Sequence, residues 1–396
     1  MTGLLSGLTI VEGASFIAGP SCGLHFAQLG ATVIRFDQIG GGPDARRWPV
    51  AAGGESLYWE GLNKGKKSVA LDLSRPEGRE LAQRLATAAD GLFVTNFPAT
   101  GFLSHDRLAA LRPDLVCLRV MGWPDGEPAV DYTINAAVGV PMMTGHPDDP
   151  RPVNHMLPAW DLIAGAYGAF ALLAAERERR TSGQGREIRL ALSDLAAATL
   201  GNLGQVAEVL AGGDRPRGGN DLFGAFGRDF ATRDGARLMI VAITPRQWSG
   251  LVDTLGIAAQ IAAVEAATGA DFARDEGARY VHRAALFGIV EAAVGNRSAD
   301  DLAAAFERAG VCWSRYRGLA EALVEEPRLV RDNGLFGMVD HPSGAYPTPA
   351  APARTDGTPP PAAAPRQGRD SDEILANLLG LGDGEIARLH DQGLVA

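Results

Sequence analysis

Short apolar runs alternate with helical stretches through the first 120 residues, and that alternation constrains the fold more than any other feature. Leu8 to Glu12 reads as a buried strand, Gly19 to Leu29 as a helix rich in small residues, and Ala31 to Phe36 as a second strand. Ser68 to Leu73, Gly91 to Thr95 and Leu115 to Val120 are further strands, with a short helix near Asp106 to Leu111. Parallel neighbours need a crossover connection, so strand–helix alternation predicts a largely parallel α/β sheet. Ser74-Arg75-Pro76-Glu77 carries the pattern of a capping box with proline just inside the helix.

At 396 residues the chain is long for one domain, and two packed units are expected. Its formal charge of −10 argues against nucleic acid or an anionic membrane as partner, while leaving room for an anionic ligand at a local basic patch. Cys22, Cys117 and Cys312 are far apart, match no metal-ligand spacing and sit among apolar residues, which predicts buried structural thiols. The stretch from Met1 to Gly7 lacks a basic region followed by a long apolar run, so a cytoplasmic protein is expected.

The segment Asn154-His155-Met156-Leu157-Pro158-Ala159-Trp160-Asp161 opens an apolar helix that runs to Ala175 and ends in Glu176-Arg177-Glu178-Arg179-Arg180. With only about fourteen apolar residues it is too short to span a bilayer comfortably. One carboxylate, Asp161, stands at its mouth. It reads either as an N-cap that accepts hydrogen bonds from the first free N–H groups, or as a nucleophile whose ionised form those groups hold. His155 lies six residues away across a proline, with no helical register facing Asp161, and reads as structural or substrate-adjacent.

Further on, Arg186 to Leu192 is a strand and Asp194 to Leu210 a helix capped by Asp194. Gly212 to Asn220 breaks the chain and is the best linker candidate. Phe230 to Ile243 reads as a hairpin turning at Asp234-Gly235, followed by helices from Pro245 to about Val324. His341 to Gly368 is rich in Pro and Ala without periodicity, an extended crossing segment or a partly disordered one. A last helical stretch covers Asp370 to Leu389, broken at Gly380 to Gly384.

Two nucleotide signatures fail. The turn after the first strand, Gly13-Ala14-Ser15-Phe16-Ile17-Ala18-Gly19-Pro20, is not GxGxxG, and Asp37 at the end of the second strand cannot replace it. Gly61-Leu62-Asn63-Lys64-Gly65-Lys66-Lys67-Ser68 has three residues between its glycines where a P-loop needs four, and its strand follows it. As a small basic loop it either holds phosphates or is a solvated turn. There is no Ser–His–Asp order and no GxSxG elbow.

Gly7-Leu8-Thr9-Ile10-Val11-Glu12, Ala18-Gly19-Pro20 and Gly30-Ala31-Thr32-Val33-Ile34-Arg35 resemble the opening of the class III CoA-transferases, the family that includes formyl-CoA transferase. The order continues through Asn63 to Leu73, Asn96-Phe97, Asp131-Tyr132, Asp161 with Gly165, and Gly219-Asn220 before Phe230 to Gly235, covering essentially the whole chain. The resemblance implies a Rossmann-like large domain built from the N- and C-terminal parts, a smaller α+β domain and an interlocked homodimer. The expected divisions are 1–205 for the first part of the large CoA-binding domain, 206–225 a linker, 226–328 the small domain, 329–368 a return linker and 369–396 the rest of the large domain. It also implies an acyl-CoA substrate, with coenzyme A part of that substrate rather than a tightly bound cofactor, and no metal.

On the resemblance, Asp161 is the nucleophile that attacks the thioester, while Arg35, Lys66, Asn63, Asn96 and Phe97 match positions near the CoA site. The family commonly has Arg after the Asn-Phe pair, where this chain has Pro98-Ala99-Thr100, and Asn135 replaces a glutamine. The racemase branch uses a His directly before the Asp of the 131 region; Val130 stands there and cannot move a proton. Longer runs, Arg35 to Gly42, Asn154 to Asp161 and Arg215 to Phe230, resemble the branch that moves CoA between the two carboxyl groups of one C5 dicarboxylate. That reaction needs a cation for the resting carboxylate. Arg46 and Arg47 on the loop after Gly40-Gly41-Gly42, and Arg317, are the candidates, with Phe16 and Ile17 lining the pocket. Intermolecular CoA transfer and a non-catalytic acyl-CoA-binding protein are the alternatives.

Overall fold

The structure, a computed structural model, describes residues 3–396 and divides into two compact units. The first holds 3–138, 155–211 and 327–396; the second holds 139–154 and 212–326. The first unit thus draws on both ends of the chain, and a short excursion, 139–154, leaves it within the span that the sequence boundaries put in one piece.

In the first unit β1 (Thr9–Gly13), α1 (Ala18–Gln28) and β2 (Thr32–Gln38) form the opening βαβ. Next come α2 (Leu57–Leu62), β3 (Lys67–Leu71), α3 (Pro76–Ala86), β4 (Leu92–Thr95), α4 (His105–Leu111), β5 (Val116–Met121) and α5 (Asp131–Ala137). The excursion contains α6 (Val140–Met143); α7 (Ala159–Ser182), β6 (Arg186–Ala191), α8 (Leu192–Asn202) and α9 (Gln205–Gly212) return to the first unit. The six strands make one parallel sheet in the order β3-β2-β1-β4-β5-β6. That is the doubly wound order, reversing between β1 and β4.

One side of the sheet buries Val11, Phe36, Val69, Phe93 and Cys117 against Leu81 and Leu85 of α3 and against the end of the chain. On the other side α1 and α7 approach so closely that a Cβ on Gly165 would lie 2.7 Å from Ser21 Cβ, and α7 lies so close on β5 that one on Gly168 would lie 2.8 Å from Leu118 Cδ2. Their missing side chains are what let α7 pack on α1 and on the sheet. Among the described residues no helix is long and apolar enough to cross a membrane, and no cluster of His, Cys, Asp and Glu could hold a metal ion.

The second unit pairs β7 (Phe226–Ala231), β8 (Arg237–Ala242) and, after α10 (Pro245–Leu255), α11 (Ala258–Thr268), α12 (Glu276–Val281), α13 (Arg283–Gly295) and α14 (Ala299–Ala309), the strand β9 (Cys312–Arg315). Phe226, Phe230, Trp248, Phe272, Phe287 and Phe306 dominate its core, and α15 (Leu319–Glu325) follows with no buried residue. The hairpin turns where the sequence predicts, and starts at Phe226.

Several expectations change. Residues 336–349 form an antiparallel hairpin, β10 (Phe336–His341) and β11 (Gly344–Pro349), tied to α2 by Glu60, which accepts from the Ser343 amide at 3.0 Å. The Pro-rich coil beyond it is packed rather than loose: Trp59 Nε1–H donates to Pro365 O at 3.1 Å, and the Gly65 amide to Ala363 O at 3.0 Å. Then α16 (Ser371–Leu379) and α17 (Asp383–Asp391) lead to a strand-like end in which Ala396 N–H donates to Ala70 O, and Asp72 N–H to Leu394 O. The capping box at Ser74 does not form, because Ser74 Oγ turns to Asp72 Oδ1 and Arg75 becomes the cap position of α3. Asp194 lies inside α8, whose cap position is Ala191, and the helix expected to reach Leu210 breaks at Gly204, where φ is +77°. Cys312 is exposed, since alternate residues of β9 face outward; Cys22 and Cys117 are buried.

Candidate active site

Loops at the carboxyl ends of parallel strands converge where the strand order reverses, the usual place for a ligand in an open α/β sheet. Here they are the turn after β1 and the turn after β4, and a side chain pins them together. The Ser15 amide donates to Asn96 Oδ1 at 3.1 Å, and Asn96 Nδ2 donates to Ser15 O at 2.9 Å. Phe16 follows with φ +70°, a left-handed backbone that a bulky residue adopts only when its neighbours enforce it. A cleft of about 620 Å³ opens beside this turn, lined by Phe16, Ile17, Arg47, Asn96, Asp131 and Asp161 among others. Buried Arg119 shapes its wall by donating to the carbonyls of Phe97, Pro98 and Leu103 at 2.7 to 3.1 Å.

Asp161 is not the cap of its helix. Pro158 occupies that position with no side-chain bond to give, and Asp161 falls in the first turn of α7. The free N–H groups there are taken by another residue: Asp131 Oδ2 accepts from Trp160 N–H at 2.7 Å and from Asp161 N–H at 3.1 Å. The expectation that these donors keep Asp161 charged is therefore corrected. Among the described residues its carboxylate has no hydrogen-bond donor. Burial, followed by the nearby Asp131 charge, pushes its pKa up to about 7, against the pull of Arg47. His155 Nε2 lies 2.5 Å from Asp131 Oδ1, so His155 serves Asp131 and not Asp161.

Arg47 is the cation of this cleft. Its guanidinium lies over the Phe16 ring at 5.4 Å and over the Tyr58 ring at 5.2 Å, held by two aromatic faces while its N–H groups remain available. Tyr58 presents a buried hydroxyl with no hydrogen-bond partner, and its pKa is raised by burial in spite of Arg47. Both arginines are exposed, but only Arg47 lines the cleft; Arg46, next to it in the chain, does not. Arg317 belongs to the second unit and pairs with Glu325 at 3.0 Å.

The cations expected at the CoA phosphates are inside the protein. Arg35, 1% exposed, grips Asp37 and Asp44 at 2.8 to 3.1 Å and reaches Asn63 Oδ1 at 3.2 Å. Lys66 donates to both oxygens of fully buried Glu12, to Pro20 O and to Asn63 Oδ1, all within 3.1 Å. Burial holds the Glu12 pKa up and that of Lys66 down, each against the other's charge. For Arg35, the Asp37, Asp44 and Glu12 carboxylates outweigh burial and hold its pKa above the ordinary value. Arg35, Lys66 and Asn63 thus hold the Gly40 to Trp48 loop and the basic turn onto the sheet, and offer no donor to a solvent-side phosphate. Room for Glu12 comes from Gly23, where a Cβ would lie 1.9 Å from its Oε2. Phe97 instead borders a second cleft of about 320 Å³ with Asp37, Gln38 and Pro43, and packs edge-on against Phe102.

Two residues escaped sequence reasoning in their present roles. Asp131 was visible only as part of an Asp-Tyr match; nothing local shows that it caps a helix starting 28 residues later. Tyr58 had no signal, being one aromatic in a short helix.

A Rossmann-type sheet thus places a half-buried carboxylate, Asp161, and the Arg47 guanidinium in one cleft at its switch point. Residues 5–371 match the model of CoA-transferase family III, and the chain belongs to that family of enzymes. It is 46% identical over 404 residues to the 2-methylfumaryl-CoA isomerase of Chloroflexus aurantiacus, covering 100% of this chain and 98% of that one. It is also 29% identical to the succinyl-CoA–D-citramalate CoA-transferase of the same organism, over 99% and 98% of the two chains. Among solved structures, a CaiB/BaiF family protein from Brucella suis is similar with a TM-score of 0.78 and 28% identity, over 95% and 99% of the two chains.

Proposed function

We propose that this enzyme moves CoA between the C1 and C4 carboxyl groups of 2-methylfumaryl-CoA, using Asp161 as covalent nucleophile. The observation that carries the proposal is a donor-free carboxylate on the first turn of α7, sharing one cleft with Arg47. The full-length likeness to an isomerase of that name supports the choice of substrate.

An Asp161 oxygen attacks the thioester carbonyl; the C–S bond breaks and leaves a mixed anhydride with CoA thiolate. The thiolate attacks the Asp161 carbonyl, forming an aspartyl-CoA thioester and freeing the C1 carboxylate. The C4 carboxylate then attacks that thioester and expels the thiolate, giving the anhydride at C4. Attack of the thiolate on the C4 carbonyl completes the transfer and returns Asp161 as a carboxylate. No proton is consumed, so the cleft needs a nucleophile and a charge clamp rather than an acid–base pair. Val130, apolar beside Asp131, fits that requirement and offers no base for racemisation. Arg47 pairs with whichever carboxylate is waiting, and its seat between two rings sets the direction of the fork. Phe97 and its cleft are the surface proposed for the adenine end of CoA, and a homodimer is the proposed assembly.

Asp161→Ala abolishes turnover, and hydroxylamine added during turnover leaves a hydroxamate on Asp161 in the wild type. Survival of isomerisation in Asp161→Ala sinks the mechanism. Intermolecular transfer, favoured by the likeness to the succinyl-CoA-dependent transferase, is separated by adding unlabelled diacid to labelled CoA ester. Label remaining wholly in the ester supports the intramolecular path; label appearing in free diacid overturns it.

A further inference from the structure

The entrance of α7 holds a pair of side chains that the steps above do not use. Asp131, 1% exposed, accepts from three donors: His155 Nε2 at 2.5 Å on Oδ1, and the Trp160 and Asp161 amides at 2.7 and 3.1 Å on Oδ2. His155 stands edge-on to Tyr132, with ring centroids 5.5 Å apart, and lies 6.3 Å from the Trp160 ring. Trp160 is fixed in turn by Nε1–H to Asn135 Oδ1 at 3.2 Å. The start of α5 and the segment before α7 therefore meet on one carboxylate, and that carboxylate consumes the helix N-terminal donors nearest to Asp161.

We propose that Asp131 and His155 form a positioning pair which locks the Asp161 backbone at the cleft and strips its carboxylate of hydrogen-bond donors. The inference rests on Asp161 being the nucleophile. A carboxylate held by helix N–H groups must give those bonds up as its oxygen turns into an acyl oxygen, and that loss adds to the barrier. With Asp131 already occupying the donors, Asp161 has nothing to surrender. The Asp131 charge also opposes the Asp161 charge in the resting enzyme, and the opposition vanishes when Asp161 becomes a neutral anhydride or thioester. The groups that face Asp161 are Asp131 from α5, Arg47 from the loop after β2 and the Tyr58 hydroxyl from α2; His155 faces Asp131. Arg47 pulls the other way, and it is the group a substrate carboxylate neutralises on binding, so the pair's influence is greatest in the loaded cleft.

The test uses three variants of the full-length enzyme, with kcat and KM for 2-methylfumaryl-CoA followed from about pH 5 to 9, and with hydroxylamine trapping at position 161. Asp131→Asn keeps an oxygen for the two amides and removes the charge. It is expected to move the acid limb of kcat down by about one pH unit, and to lower the plateau about tenfold with KM within about twofold. His155→Phe, which leaves the Asp131 charge without that donor, moves the limb the opposite way, upward and by less, and His155→Gln restores it. A purely structural pair changes thermal stability and leaves the limb in place. An unmoved limb in Asp131→Asn and in His155→Phe, with hydroxamate still forming on Asp161, overturns the pair alone. Should Asp131→Asn fail to fold, the His155→Phe and His155→Gln profiles decide by the same criterion. Absence of hydroxamate in the wild type overturns the nucleophile and the pair together.

Discussion

Asp161→Asn should make the protein more stable, and the size and pH dependence of the gain follow from the site. Burial and the Asp131 charge push the folded Asp161 carboxyl up to about 7, from about 3.8 for an ordinary aspartate. At about 1.36 kcal/mol per unit this caps the cost of the buried charge at about 4 kcal/mol. Water in the open cleft screens part of it, leaving on the order of 2 kcal/mol. Because the folded pKa lies above the unfolded one, the wild type keeps this stability below about pH 4 and loses it as pH rises through about 7. The asparagine variant has no charge to bury, so its advantage is absent near pH 4, grows between about pH 4 and 7 and stays constant above. Urea unfolding followed by circular dichroism at a series of pH values measures it, with the midpoint difference multiplied by a common slope. A gain that is flat with pH, or a loss at pH 8, refutes the reasoning, because either would mean that the carboxylate is stabilised where it stands.

The same carboxylate must be ionised to attack, so kcat/KM should rise with pH through about 7 and level off above; a limb below pH 5 contradicts the burial of Asp161. Arg47→Gln is expected to raise KM for a dicarboxylic monothioester roughly tenfold or more, by removing a charged hydrogen bond of about 1.5–3 kcal/mol. It should hardly affect an acyl-CoA that lacks the second carboxylate; equal losses on both would remove Arg47 from recognition. Lys66→Met leaves Glu12 buried with only Arg35 at 3.5 Å, and should destabilise by about 3 kcal/mol without weakening CoA binding. Calorimetric titration of CoA into the variant separates this from a phosphate role. Asn96→Ala, by releasing both bonds to Ser15, should lower kcat several-fold with little change in KM, read from steady-state profiles.

The alternation of strand and helix was readable because buried parallel strands leave uninterrupted apolar runs, and nothing else in the first 120 residues competes with them. Asp161 was readable as a carboxylate at the mouth of α7, since position along a helix is local information, but the sequence placed it at the cap and it lies in the first turn. Its surroundings were not, because the capping carboxylate comes from Asp131, 30 residues away in the chain, and Pro158 takes the cap position without a side chain to fill it. Lys66 and Arg35 misled for a related reason. A cation looks solvent-facing in sequence unless its partner is seen, and Glu12 sits inside a run that otherwise reads as an apolar strand. The 139–154 excursion and the packed Pro-rich coil depend on contacts between distant segments, which carry no periodic signature.

The closing of β3 by residues 394–396 has a consequence for the newborn chain. Ala70 takes a side-chain partner 301 residues downstream, and Leu71 bridges Val395. While the ribosome is still making the second unit, the outer edge of β3 stands open with its backbone groups unpaired, beside Val69 and Leu71 that are destined to be buried. Such an edge is where one nascent chain joins another. Slow stretches of translation after residue 71 lengthen that exposure, so the yield of active enzyme should depend on synthesis rate and on holdase chaperones more than its folded stability suggests.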